Sequence, residues 1–264
     1  MTGAARIRGA FAAARSAGRS ALVPYVVAGR PDQDSCVELV VQLATAGADV
    51  VELGVPFSDP LADGPVIRDA TRRALDAGIT AAGCLDLVRA IRGRGCDVPI
   101  VLMGYVNPLL AYGVERWCAD AAAAGVDGLI VPDAQEFEGL ARAAGAQGLG
   151  MTMLVTPLSS DERISALAAR STGFLYAVAS TGTTGARSEL GEGTLDLLDR
   201  ARRLSEAPVA VGFGVSTSDH VAQLAPRADG VIVGSALVAR VEVDPVGAVG
   251  FVGELVAASH VPVG

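Results

Sequence analysis

Two carboxylates, Glu52 and Asp63, sit where a protein can use them. Glu52 lies inside the apolar run Val50-Val51-Glu52-Leu53. A charge has no place there unless something pairs with it or uses it. The run then gives way to Gly54, Pro56, Ser58, Asp59, Pro60, Asp63, Gly64 and Pro65, the makings of a stiff, turn-rich loop. An α/β protein places chemistry on such loops, at the ends of strands. Spacing alone also allows a salt-bridged Glu at a strand edge and an ordinary loop. Tyr105 and Asp133 follow later apolar runs and Tyr176 lies within one. They could serve the same site, or line its wall or cap a helix.

What the chain lacks narrows the chemistry. All 21 basic residues are Arg. Without lysine there is no Schiff base, no lysine-anchored pyridoxal phosphate and no Walker A loop. Only two histidines occur, His220 and His260, both late in the chain. That disfavours a His-rich metal centre or a Ser-His-Asp triad. Cys36, Cys84, Cys96 and Cys118 form no CxxC pair, and read as small apolar core residues in a reducing compartment. Carboxylates, Tyr, Ser/Thr, Arg and backbone N–H groups must therefore carry the reaction, with no metal or cofactor expected.

Three glycine-bearing segments point to an anion. They are Thr181-Gly182-Thr183-Thr184-Gly185, Gly212-Phe213-Gly214 and Gly234-Ser235. Glycine lets backbone N–H groups approach a phosphate closely. Tight turns alone would explain each segment singly. The stretch 180–193, with Gly182, Gly185, Gly191 and Gly193 around Arg187 and Glu189, is long for a connection and is expected to be a lid or a surface loop.

The elements that must position these groups follow from patterning. Eight short apolar runs are expected as strands: Ala21-Val27, Val50-Leu53, Ile100-Met103, Gly128-Val131, Met151-Val155, Phe174-Ala179, Val209-Phe213 and Gly230-Val233. Ala-, Leu- and Arg-rich segments of helical period separate them. Continuous rather than alternating apolar strands suit a parallel sheet covered on both faces. Eight strand-helix units in 264 residues describe a (β/α)8 TIM barrel, one domain over 1–264. An amphipathic helix ending near Gly18 precedes it. A doubly wound sheet is the competitor, but no GxGxxG follows the first strand. Gly47, Gly78, Gly125 and Gly145 are expected as helix C-caps, and Asp32, Ser160 and Ser216 as N-caps. The net charge of −8 disfavours nucleic acid. No apolar run reaches the ~18 residues of a membrane span. The N-terminal segment is interrupted by Arg6, Arg8, Arg15 and Arg19, unlike a secretory signal; a transit peptide is a weaker alternative, and a cytoplasmic location is expected.

The stretch ELGVPFSDPLADGP closely resembles the signature of the tryptophan synthase alpha subunit family. PYVVAGRPD, MGYVNP, GLIVPD, ASTGTTGAR, GFGVS and GSALV extend the resemblance along nearly the whole chain. It implies a lyase that splits indole-3-glycerol phosphate into indole and glyceraldehyde 3-phosphate in tryptophan biosynthesis. By resemblance, Glu52 is the general acid/base and Asp63 holds the indole N–H. Thr184 would meet that aspartate on loop closure. Gly185, Phe213, Gly214, Gly234 and Ser235 would contact phosphate. Tyr176 and Phe213 would wall the substrate pocket, with Tyr25 and Met103 as neighbours, and Tyr105 would bind substrate. A beta subunit is the implied partner, in an alpha2beta2 tetramer, facing Asp59 and Asn107-Pro108. Three departures stand out: Gly29-Arg30-Pro31 in place of Gly-Asp-Pro, Ala134-Gln135-Glu136 after Asp133, and Val55 before Pro56. They bear on the partner, and a stand-alone lyase that releases free indole is the first alternative; a silent barrel that activates a partner is the second, and the intact Glu52 and Asp63 argue against it.

Overall fold

The computed structural model describes residues 1–178, 193–212 and 214–261. Strands β1 (Ala21–Val27), β2 (Val51–Gly54), β3 (Ile100–Met103), β4 (Gly128–Ile130), β5 (Gly150–Val155), β6 (Leu175–Val178), β7 (Val209–Gly212) and β8 (Gly230–Val233) close in sequence order. Every neighbouring pair is parallel, β8 with β1 included. Helix α1 (Gly3–Ser16) precedes the barrel, and α2 (Gln33–Thr45), α3 (Pro65–Asp76), α4 (Ala81–Gly93), α5 (Val106–Tyr112) and α6 (Val114–Ala124) surround its first half. After them come α7 (Glu138–Ala146), α8 (Asp161–Arg170), α9 (Thr194–Leu204), α10 (Ser218–Leu224), α11 (Ser235–Val241) and α12 (Pro245–Ala258). The strands are buried on both faces, which is why their sequences run apolar without alternating. The expected TIM barrel with an extra N-terminal helix is the observed fold.

Helix α1 stoppers the N-terminal end of the barrel. Ile7 and Phe11 on its inner face are buried. They seat on glycines that open strands. A Cβ at Gly128 would lie 2.7 Å from Ile7 Cδ1, and one at Gly230 would lie 2.6 Å from Phe11 Cε1. Any larger residue there would push the helix out. Arg8 Nε donates to Thr172 O at 2.9 Å, and the Phe11 ring packs on Phe174 with centroids 5.3 Å apart.

A repeated clip holds the strands at this end. Asp49 Oδ2 accepts from Leu22 N, Asp127 Oδ2 from Ile100 N and Asp229 Oδ2 from Val209 N, each at 2.8 Å. The same aspartates donate their own N–H to Leu22 O, Ile100 O and Val209 O. Pairs β1/β2, β3/β4 and β7/β8 are thus joined alike, and Thr172 Oγ1 does the same for Met151 N in β5/β6. Arg6 and Arg92 close on Asp127 at 2.7 Å each, and Arg19 closes on Asp49. In a barrel this is the stability end; chemistry belongs to the other.

Local differences from expectation have identifiable causes. Helix α5 adds an element after β3 that the sequence pattern does not mark; Pro108 falls in its first turn, where its missing N–H costs nothing. Gly145 lies inside α7, and Gly148 takes the left-handed turn at φ 70 instead. Thr217 rather than Ser216 caps α10, accepting from His220 N. Gly47, Gly78 and Gly125 have positive φ as expected of residues that end helices, and Asp32 and Ser160 cap α2 and α8.

Candidate active site

Glu52 sits within β2, in register with Tyr25 of β1 and Val101 of β3. Its neighbours Val51 and Leu53 are fully buried, and Glu52 itself is 2% exposed. Asp63 ends the loop from β2, just before Gly64 and the helix-opening Pro65 of α3; it is 6% exposed. Both acids line one cavity at the C-terminal mouth of the barrel. Tyr25, Met103, Ile130, Leu154, Tyr176 and Ile232 supply an aromatic and aliphatic wall. Gly214, Gly234 and Ser235 reach the same cavity from the ends of β7 and β8. A flat apolar group fits such a wall, with polar groups set at defined points around it.

Burial shapes the acids unequally. It pushes the Glu52 carboxyl up to about 8, and the nearby charge of Asp63 adds to the rise. Burial also raises Asp63, to about 6, against the hydrogen bond from Tyr105 and the positive charge of Arg68, which pull it down. Near neutral pH the pair therefore holds one proton, on Glu52, with Asp63 ionised. Two acids with separated affinities are what a proton donor and a fixed anion require. Among the described residues, Glu52 Oε2 is buried with no hydrogen-bond partner.

Two tyrosines are placed by glycines. A Cβ at Gly54 would lie 2.2 Å from the Tyr25 hydroxyl oxygen, and one at Gly212 would lie 2.4 Å from that of Tyr176. Each ring thus lies across the glycine that ends the neighbouring strand. Burial, with Glu52 and Asp63 adding, drives both phenols well above their ordinary range, so they stay protonated.

The anion side is built from backbone. Gly214 follows β7 with φ 86, and Gly234 precedes α11 with no side-chain cap. The first amides of α11 have no partners within the helix. Ser235 adds a hydroxyl at the same point.

The structure brings Glu52, Asp63, Tyr176, Gly214, Gly234 and Ser235 around one cavity. Tyr105 lies one layer back, its hydroxyl 3.1 Å from Asp63 Oδ2. Asp133 sits in the short 3-10 turn Pro132–Ala134 and accepts from Val106 N at 3.0 Å, at the start of α5. Thr184, Gly185 and Phe213, with residues 179–192, lie outside the described residues. The strand residues Ile130, Leu154 and Ile232 of the wall are not marked by the sequence pattern. Their signal would have been strand register, as in the pairing of Leu154 with Tyr176, because residues level with one another in a barrel share a layer.

The family described as Tryptophan synthase alpha chain matches residues 11–252. A tryptophan synthase alpha chain of Chloroflexus aggregans is 49% identical over 239 residues, covering 90% of each chain. One from Roseiflexus sp. is 49% identical over 244 residues, covering 92% of this chain and 94% of its own. Among solved structures, a chain of Mycobacterium tuberculosis tryptophan synthase superposes with a TM-score of 0.91 at 39% identity, covering 97% of this chain and 99% of its own. Tryptophan synthase subunit alpha from Legionella pneumophila gives 0.86 at 34% identity, covering 96% and 97%. The chain belongs to the tryptophan synthase alpha chain family.

Proposed function

We propose that this chain works in tryptophan biosynthesis as a carbon-carbon lyase, cleaving indole-3-glycerol phosphate to indole and glyceraldehyde 3-phosphate. The observation that carries the reading is the pair of buried acids on one cavity, one protonated and one ionised near neutral pH. Glu52 gives its proton to indole C3, which turns the ring into a leaving group. Positive charge then develops on the indole nitrogen, and the Asp63 carboxylate stabilises it across the ring N–H. Glu52, now ionised, takes the proton of the side-chain hydroxyl on the carbon next to C3. The C–C bond breaks, that carbon becomes the aldehyde and the bonding electrons restore the indole. Glu52 ends as it began, protonated, so no net proton is gained or lost.

Tyr176, Tyr25 and Met103 hold the ring, while Gly214, Gly234 and Ser235 bind the phosphate. Thr184, Gly185 and Phe213 keep the parts assigned by resemblance. One domain over 1–264 carries the site. We place a beta subunit at the mouth of the barrel. Leu61, in the loop after β2, is 86% exposed, and Leu110 on α5 is also exposed; apolar side chains beside a catalytic mouth suit a partner. Among the described residues no helix is long and apolar enough to cross a membrane, and the reaction is assigned to the cytoplasm.

The test is turnover. Purified chain is given indole-3-glycerol phosphate, and indole is quantified with and without a beta subunit. Indole release that rises when the beta subunit is added supports the proposal. No indole under either condition would overturn it. A high rate that the beta subunit leaves unchanged would overturn the coupled alpha role and leave a stand-alone lyase.

A further inference from the structure

We propose that Tyr105 is a positioning residue for Asp63: its hydroxyl grips the Ala62 N–H and the Asp63 carboxylate together, and so fixes the carboxylate's orientation and selects its ionised form. The inference rests on the role given to Asp63 above. It starts from the loop between β2 and α3, whose tip is exposed. Among the described residues, only two hydrogen bonds tie residues 57–63 to another element, and both are made by the Tyr105 hydroxyl. Ala62 N donates to it at 3.0 Å, and it lies 3.1 Å from Asp63 Oδ2. The Tyr105 ring also packs on Phe57 of the same loop, with centroids 5.8 Å apart. Tyr105 is itself held rigidly, as the buried N-cap residue of α5 straight after β3.

The proton count sets the direction. A phenol has one proton. The oxygen accepts from Ala62 and directs that proton to Asp63 Oδ2, which is then the acceptor. A proton on Oδ2 would face the phenol's own. The bond therefore favours carboxylate over acid. It also engages Oδ2 from behind, and Oδ1 makes no hydrogen bond among the described residues. That oxygen is left for the substrate N–H. The tyrosine cannot default on the arrangement by ionising, because burial and Asp63 raise it far above its ordinary range.

The test replaces Tyr105 by Phe, which keeps the ring on Phe57 and removes only the hydroxyl. Carbon-13 NMR of labelled Asp side chains follows the Asp63 titration directly, independent of turnover. The midpoint, about 6 in the parent, should rise by about one unit in Y105F. The acid limb of kcat/KM should move with it, so that kcat/KM at pH 6 falls about fivefold. In an Asp63→Asn background, Y105F should cost nothing further. An unchanged midpoint, or an equal loss in the Asp63→Asn background, would overturn the proposal. A parent protein that releases no indole would sink the lyase reading instead, and would leave the NMR midpoint to decide the Tyr105–Asp63 link.

Discussion

Replacing Glu52 by Gln should stabilise the protein increasingly as pH rises, while abolishing its activity. Gln keeps the shape of the side chain but cannot ionise. In the folded chain the Glu52 carboxyl is raised from 4.5 to about 8, chiefly by burial. The unfolded chain releases that proton near 4.5, whereas the folded chain holds it to about 8. Between those values the unfolded state binds fewer protons, so wild-type stability falls as pH rises. Below 4.5 the contribution vanishes. Each unit of the shift corresponds to about 1.4 kcal/mol, giving about 3 kcal/mol lost by pH 7 and about 5 kcal/mol over the whole window. The Gln amide brings its own unmatched donors, a cost of about 1–3 kcal/mol that does not depend on pH. The slope of the difference, not its offset, is therefore diagnostic. Urea unfolding at half-unit steps from pH 4.5 to 9, followed by the fluorescence of the buried, single Trp117, measures it. The stability difference between variant and parent should climb by about 1.4 kcal/mol per unit between pH 5 and 7.5. A flat difference would mean that Glu52 is ionised in the fold, and the proton-donor argument would fail. Turnover by the variant should drop by about a hundred- to ten-thousand-fold.

Further outcomes follow from other parts of the structure. The pH profile of kcat/KM should be bell-shaped, limited by Asp63 ionising at about 6 and Glu52 losing its proton at about 8; a rate still climbing at pH 9 would contradict it. Gly54→Ala places a Cβ 2.2 Å from the Tyr25 hydroxyl oxygen, and should cost about 1–3 kcal/mol in stability and raise KM as the ring is forced toward the cavity, read by urea unfolding and saturation kinetics. Asp127→Ala strips Arg6, Arg92 and Ile100 N of a shared partner. It should cost about 3 kcal/mol and lower Tm by about 6–12 °C, with kcat unchanged in steady-state assays.

The residues that could be read from sequence are those that break a local rule. Glu52 interrupts an apolar strand, and the cost of burying a carboxyl makes the interruption meaningful without any structure. The strands themselves show as unbroken apolar runs because helices cover their outer faces. The part played by Tyr105 could not be read in that way. It depends on a bond to Asp63 across 42 positions, and nothing local distinguishes a tyrosine that lines a cavity from one that stands behind an acid. Ile130, Leu154 and Ile232 are similarly silent, since an inward and an outward aliphatic residue are the same letter. Nothing local marks Asp49, Asp127 and Asp229 as clips. Their repetition emerges only when the strands are paired.

Helix α1 makes the barrel a well rather than a pipe. Ile7 and Phe11 close its floor on the glycines of β4, β5 and β8, so a proton from Glu52 has no exit below. It must leave upward, onto whatever occupies the cavity or through the mouth. Among the described residues, indole, triose phosphate, water and protons then share the doorway at the mouth. A cover over that doorway shuts off leakage of all of them together, and a carboxyl kept dry in this way retains its proton until a substrate arrives to take it.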